Sequence, residues 1–243
     1  MKILQDVYLA GGGAFGYSHP SDCNIYLVDG GDELALIDTG GGAGVDAVLS
    51  NIRNTNLDPK KVKVVFITHS HFDHIGGNKR VKELTGCKIA VHESVATAVE
   101  KLDPELTLVD MARRRGLSIE PAKVDLPLRD GEVLKVGRHR LRVIHTPGHT
   151  PGSTCLLMES GGKRTLFSGD IVSAQGRLNF INGPGFDLVA WKRSMKTLLD
   201  LKVDALMPGH GTFVLSNGHD HIKLYSDKLN APWVNIVTSI DLQ

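Results

Sequence analysis

An α/β fold of layered sheets covered by helices is what this sequence predicts, and three observations carry the expectation. Short runs rich in Val, Ile, Leu and Tyr recur along the chain, separated by Gly-containing turns. Stretches with helical apolar spacing alternate with those runs in both halves. No low-complexity linker interrupts the 243 residues, a length that one large domain or two small ones can fill. Strands outnumber helices yet alternate with them, so sheets flanked by helices bury the apolar faces best. A single domain over 1–243 is expected.

In order, residues 2–9, 23–29 and 33–38 are expected as strands, and Gly40 to Gly44 turns the chain into a helix at about 45–54. The apolar run Val62-Lys63-Val64-Val65-Phe66-Ile67 gives a strand at 62–67. A helix starts near Gly77 and ends before Gly86, a strand covers Lys88 to His92, and a helix follows around 94–102. In the second half strands fall at 132–136, 140–145, 153–158 and 164–167. Asp187 can N-cap a helix in which Leu188, Trp191, Met195, Leu198 and Leu199 form an apolar stripe. A strand at 203–207 and a final helix near 219–229 complete the order.

Composition is that of an ordinary globular protein, 41% hydrophobic and 23% charged. The 28 Lys and Arg nearly balance 27 Asp and Glu, so nothing global pulls the chain toward nucleic acid or anionic lipid. Neither is expected as a partner; a small-molecule substrate is. Cys23, Cys87 and Cys155 are odd in number and form no CxxC pair, which suits a reducing compartment and buried, unreactive thiols. Asp6 interrupts any apolar signal-peptide core, and no apolar stretch approaches the roughly 18 residues that span a bilayer. A cytoplasmic location is the resulting expectation.

The segment His69-Ser70-His71-Phe72-Asp73-His74 packs three imidazoles and a carboxylate behind the strand 62–67. A solvated His-rich loop is the bland alternative, yet such a cluster arises by chance in on the order of one chain in a thousand. Further histidines and acids follow later strands: His149 in Thr146-Pro147-Gly148-His149, Asp170 in Phe167-Ser168-Gly169-Asp170, and His210 in Met207-Pro208-Gly209-His210. Each follows a glycine, which lets the backbone turn tightly around a compact site.

On these motifs, HxHxDH followed by a lone His, a lone Asp and a final His, the chain resembles the metallo-β-lactamase superfamily over residues 69–210. Leu36-Ile37-Asp38-Thr39-Gly40 adds a typical upstream element. The resemblance implies an αββα sandwich, two mixed sheets face to face with helices outside and metals at one edge. Carried over by position, it implies His69, His71 and His149 on one metal, Asp73, His74 and His210 on a second, and Asp170 bridging them. Imidazole and carboxylate suit zinc, iron or manganese, seven such ligands are enough for two open sites, and zinc is the metal expected first. Two such ions would be able to share a water and lower its pKa, giving a hydroxide to attack a carbonyl carbon or phosphorus atom. Asp73 would ligate and orient the nucleophile. Asp38 would accept a hydrogen bond from a ligand imidazole or cap the Gly40–Gly44 turn; the two readings are equal at this point.

The bridging acid makes the set similar to the glyoxalase II branch. It departs from true β-lactamases, which lack that acid, and from flavodiiron proteins, which carry Glu where this chain has His71. Glyoxalase II enzymes add a C-terminal helical region that holds glutathione, whereas only Ala231 to Gln243 follow the last expected helix. RNA-processing members carry large extra domains or basic arms, and this neutral chain shows neither. The expected function is a dinuclear metal-dependent hydrolase of small esters, thioesters, lactones or phosphodiesters. The rival is a mononuclear iron persulfide dioxygenase of the same superfamily. Substrate shape is assigned to residues 11–22, 95–130 and the loop Ala174 to Phe186, with Phe15, Tyr17, Arg177 and Phe180 as candidate contacts. The resemblance allows a homodimer, although no residue of the chain shows one.

Other motifs are set aside. Gly11 to Gly16 fits GxGxxG, but Tyr17 to Asp22 is turn chemistry rather than a helix, so a flap is expected instead of a dinucleotide site. Gly40 to Gly44 lacks the Lys-Ser/Thr of a phosphate loop and is a turn. His145 could support the site or pack at a strand end. His219 and His221 are expected to be solvated, and Arg113 to Arg115 to form a charged helix face.

Overall fold

The computed structural model describes residues 1–178, 180–181 and 183–231. Its first sheet follows chain order: β1 (Lys2–Leu4), β2 (Val7–Gly11), β3 (Ile25–Asp29), β4 (Leu34–Ile37), β5 (Val62–Phe66), β6 (Lys88–His92) and β7 (Leu126–Leu128). Pairing is antiparallel from β1 to β4 and parallel from β4 to β7. The second sheet is ordered β12-β11-β10-β9-β8, from β8 (Val133–Val136), β9 (His139–His145), β10 (Thr154–Ser160), β11 (Lys163–Gly169) and β12 (Ala205–Pro208). Only the β11–β12 pair in it is parallel. The helices are α1 (Val45–Arg53), α2 (Phe72–Ile75), α3 (Asn78–Thr85), α4 (Ala96–Lys101), α5 (Pro104–Thr107), α6 (Val109–Arg114), α7 (Leu188–Leu199) and α8 (Gly218–Leu229).

Burial explains the layering. Tyr26, Val28, Ile37 and Phe66 of one sheet meet Leu141, Val143, Leu156, Met158 and Phe167 of the other in a buried apolar middle layer. The opposite face of the first sheet, with Leu27, Leu36, Val65 and Ile89, packs on Val48, Leu49 and Ile52 of α1 and Val81 of α3. The outer face of the second sheet, with Cys155, Leu157 and Leu166, packs on Trp191, Met195 and Leu198 of α7 and Ile222, Tyr225 and Leu229 of α8. The result is layered sheets covered by helices, as the element pattern predicts, in the αββα arrangement that the resemblance implies. Strands covered on both faces need continuous apolar runs, as in Leu34–Ile37. β9 is covered on one face along most of its length and alternates Leu141 and Val143 with exposed Arg140 and Arg142.

Several boundaries differ from the sequence reading. The strand expected at 2–9 is two strands, because Asp6 adopts a left-handed φ of 62° and reverses the chain between β1 and β2. The strand expected from 23 starts at Ile25, Asn24 being bonded to the far sheet instead. The helix expected at 94–102 is a 3-10 turn at Glu93–Val95 followed by α4, and α5, which Asp103 N-caps, comes next. α2, α5, α6 and β7 are too short for their periodicity to register; β7 lies at the sheet edge, where Pro127 is tolerated. Among the described residues no helix is long and apolar enough to cross a membrane. Residues 232–243, where no further helical region is expected, lie outside the described residues, as do Asn179 and Asn182 of the loop 174–186.

Candidate metal centre

Strand ends converge at one edge of the sandwich. β5 stops at Phe66, and Ile67 still bonds the carbonyl of Ala90 at 2.9 Å before the chain turns through Thr68 to His71. His71 is the extended N-cap of α2, so Asp73 and His74 leave the first turn of that helix while His69 and His71 leave the loop before it. Ser70 Oγ anchors the loop by donating to the Leu106 carbonyl at 2.6 Å. From the second sheet, β9 leads to His149, β11 to Asp170 and β12 to His210.

These seven side chains form one cluster. His69, His71 and His149 each offer a ring nitrogen within 4.8 Å of the others, and so do the donor atoms of Asp73, His74 and His210. Asp170 lies between the groups: Oδ2 is 3.7 Å from His149 Nε2 and 3.4 Å from His210 Nε2, and Oδ1 is 3.5 Å from His74 Nε2. His149 Nε2 and His71 Nδ1 are 3.1 Å apart. His210 Nε2 is 3.0 Å from Asp73 Oδ2. The mouth of the cluster is at His210 and Asp73, whose side chains are 37% and 21% exposed.

Charge divides the cluster in two. Burial, helped by neighbouring imidazoles, drives His69 and His149 far below the usual histidine range. Burial likewise lowers His71, to about 4. These three are neutral rings at pH 7, the form that binds metal. Burial raises Asp170. Burial would also raise Asp73, but the charges of His74 and His210 overcome it and hold that carboxyl below its ordinary value. The charge of Asp170 raises His210 against its burial.

The donor set fits divalent cations on an observation of its own. His69 Nε2 and Asp170 Oδ1 are buried without a hydrogen-bond partner. Such orphaned groups cost about 1–3 kcal/mol each and are rare in folded proteins. Both point into the space the other ligand atoms surround, where ligation would satisfy them. Every donor is imidazole or carboxylate, a set suited to zinc, iron or manganese.

Supporting residues complete the geometry. Asp38, 1% exposed, receives hydrogen bonds from Thr68 N and Thr68 Oγ1 and lies 2.8 Å from His74 Nδ1. Of its two readings, the imidazole contact is the one realised; the Gly40–Gly44 turn is held by Asp22, which accepts from Gly41 N at 2.8 Å. Sequence reasoning missed Asp22, Asn24 and Tyr26. Asn24 and Tyr26 hold the His210 loop through the Pro208 carbonyl. Gly209 is required by close approach, since a Cβ there would overlap Asp170 Oδ1 and stand 2.7 Å from His74 Cε1. Trp191 packs edge-on against His149 at 5.5 Å and donates from Nε1 to Ile171 O at 2.7 Å.

The expected substrate contacts separate. Phe15 is 42% exposed and tilts against Phe213, three residues past His210, at 5.8 Å, so it stands on the rim. Arg177 is exposed on the loop after β11. Tyr17 is drawn elsewhere: its hydroxyl is 2.8 Å from the Met1 ammonium, which ties the flap to β1. Phe180 packs inward, edge-on to Phe186 and Trp191 at 6.0 and 5.6 Å, so it supports the layer behind His149. Residues 13–15 form a 3-10 turn and open no long helix, as the turn chemistry predicts.

His145 lies 2.8 Å through Nε2 from the Pro151 carbonyl in the His149 loop, and stacks on His92 at 3.8 Å. His219 and His221 are half-buried rather than solvated: His221 Nδ1 accepts from Gln175 N at 2.9 Å, and His219 N donates to Val203 O. Arg113 pairs with Asp110 on the surface, while Arg115 lies over the Phe72 ring at 5.5 Å. The three cysteines are free and buried. Burial pushes the Cys23 and Cys155 thiols up to about 12.

Comparison with known proteins agrees with this geometry. The family model of the metallo-beta-lactamase superfamily matches residues 20–210. Beta-lactamase-like protein 2 homolog of Drosophila melanogaster is 30% identical over 193 residues, which is 79% of this chain and 59% of that protein. The chain thus spans about three fifths of that relative's length. Human acyl-coenzyme A thioesterase MBLAC2 is 28% identical over 217 residues, covering 80% of this chain and 75% of the relative. In fold, the chain is similar to BJP-1, a subclass B3 metallo-beta-lactamase of Bradyrhizobium japonicum. The TM-score is 0.78 at 20% identity, over 98% of this chain and 93% of that one.

Proposed function

The chain belongs to the metallo-β-lactamase superfamily, and from that premise we propose that it is a dinuclear metal-dependent hydrolase of acyl thioesters and chemically related small esters and lactones. The observation that carries the reading is the convergence of two donor groups, His69/His71/His149 and Asp73/His74/His210, on either side of Asp170. Zinc is the proposed metal, with iron or manganese as alternatives the same donors accept. Thioesters come first because a relative aligned over 80% of this chain is named an acyl-coenzyme A thioesterase. Esters and lactones share the electrophile, an acyl carbon; phosphodiesters are the less favoured substrate.

Divalent ions held by these residues would supply Lewis acidity, lowering the pKa of water and polarising the scissile carbonyl. The residues do the rest. His69, His71 and His149, neutral through burial, act as ligands without first losing a proton. Asp73, held ionised by His74 and His210 at the partly exposed mouth, would orient the attacking water by accepting a hydrogen bond from it. Asp38 fixes the ring of His74. The apolar pair Phe15 and Phe213 beside His210 offers a rim on which an acyl chain can rest.

The test is hydrolysis of acyl-coenzyme A, ester, lactone and phosphodiester substrates by metal-loaded protein, alongside His71→Ala and Asp170→Ala. Both variants should stay folded, lose metal and lose turnover. Unchanged metal content and turnover in both would sink the proposal. One iron per chain with thiol-dependent oxygen uptake would instead establish the persulfide dioxygenase reading.

A further inference from the structure

We propose that Asn24 is the positioning residue for the second metal: it straps the His210 loop of one sheet to the edge of the other, and so sets how tightly Asp73, His74 and His210 hold an ion. The proposal rests on the two-metal reading above.

The ligands of the second group come from both halves of the sandwich. Asp73 and His74 ride on α2, behind β5 of the first sheet, whereas His210 follows β12 of the second. A metal site needs its donors held to within about 0.5 Å, so something must fix the halves to each other at this point. Asn24, 2% exposed and directly before β3, does this with one side chain and one backbone group. Its Nδ2 donates to Pro208 O at 3.0 Å and to Gly211 O at 2.9 Å, carbonyls that flank Gly209-His210. Its backbone N–H donates to the Gly209 carbonyl at 2.7 Å. The preceding residue reaches the other half: Cys23 N donates to the Asp73 carbonyl at 3.3 Å. Two adjacent residues therefore bond the backbone of Asp73 and the backbone around His210.

The ring of His210 depends on that strap more than the other ligands depend on theirs. His149 is buried against Trp191, and His69 and His71 are buried among themselves. His210 is the most exposed of the seven side chains, and its nitrogen contacts are with Asp73, His74 and Asp170. Where side-chain packing is thin, backbone anchoring sets the ring's position. Loss of the Asn24 amide should therefore loosen the second group and leave the first intact.

The test compares zinc titrations of the parent, Asn24→Asp and Asn24→Ala with a control, Asn51→Ala. Asn24→Asp keeps the shape and removes the donor, so it separates hydrogen bonding from packing. Asn51 makes two comparable carbonyl bonds, to Ala10 O at 2.9 Å and Tyr17 O at 2.8 Å, away from the metal ligands. Both Asn24 variants should bind the second zinc about 10–100-fold more weakly, with the first changed by less than about twofold. Asn51→Ala should bind both as the parent does. A two-zinc parent matched by both Asn24 variants would overturn the assignment of Asn24 alone, as would an equal loss in Asn51→Ala. A parent that binds fewer than two zinc ions would overturn the two-metal reading and this proposal with it.

Discussion

Replacing Asp38 with Asn changes three hydrogen bonds and almost no volume, which makes it the sharpest probe of how the centre is held. A carboxylate only accepts. Asp38 Oδ1 and Oδ2 take the Thr68 N–H and hydroxyl, each at 2.8 Å, and Oδ2 stands 2.8 Å from His74 Nδ1. His74 thus carries a proton on Nδ1 and turns Nε2 toward Asp73 and Asp170. In the Asn variant one oxygen remains for the Thr68 N–H, and an NH2 group faces His74 Nδ1. The ring must then accept at Nδ1 and carry its proton on Nε2, where it blocks ligation. Backbone strain adds nothing, because Asn tolerates the left-handed φ of 64° as well as Asp does. The lost charge-assisted bond should destabilise the metal-free protein by about 1.5–3 kcal/mol. The wrong tautomer should weaken metal binding by about 10–100-fold, or about 1.4–2.7 kcal/mol. Urea unfolding with and without metal measures both terms, and a competition titration gives the affinity directly. Parental metal affinity in Asp38→Asn would refute the claim that Asp38 sets the His74 tautomer.

Three further outcomes are expected. Gly209→Ala places a Cβ against Asp170 and His74. Turnover should fall by at least about 100-fold with the circular dichroism spectrum intact, since displacing reacting groups by about 1 Å costs that much; parental turnover would contradict the packing. Asp6, buried yet held below the usual carboxylate range by Arg138 and His139, contributes stability present above its unfolded pKa of about 3.9 and lost as pH falls through the lower folded value. With Arg138 half exposed, Asp6→Asn should cost about 1 kcal/mol at pH 7 and progressively less below about pH 4; a gap constant from pH 7 to pH 3 would count against it. Trp191→Phe removes the bond to Ile171 O and part of the wall behind His149, which should cost about 1–3 kcal/mol in denaturant unfolding. An unchanged midpoint would show that the wall is not needed.

What could be read from the sequence follows from the range of the interactions. The long strands β9, β10 and β11 and the helices α1 and α7 announce themselves by periodicity, because each buries a face along its own length. The seven clustered side chains were legible because His69-Ser70-His71-Phe72-Asp73-His74 is a local pattern and His149, Asp170 and His210 each follow a glycine at a strand end. Asn24, Tyr26 and Asp22 were not, since they act on backbone carbonyls and amides that any residue could supply. Asn24 and its partners Pro208 and Gly211 are 184 and 187 residues apart, and no local pattern encodes such a bond. One signal was available: Asn24 is a polar residue between Cys23 and Ile25 in an otherwise apolar run, and a buried amide needs partners. The contacts that Phe180 makes with Trp191 and Tyr17 with the Met1 ammonium reach beyond the loops that carry them, so no local pattern encodes them.

The central claim is that two donor groups sharing Asp170 form a hydrolytic metal centre. Metal analysis of the purified chain, with acyl-coenzyme A hydrolysis followed on the same sample, tests it most directly. The expected result is two divalent ions per chain, with turnover lost on chelation and regained when zinc is restored. A single iron with oxygen consumption, or thioester hydrolysis that persists in fully metal-free protein, would contradict it.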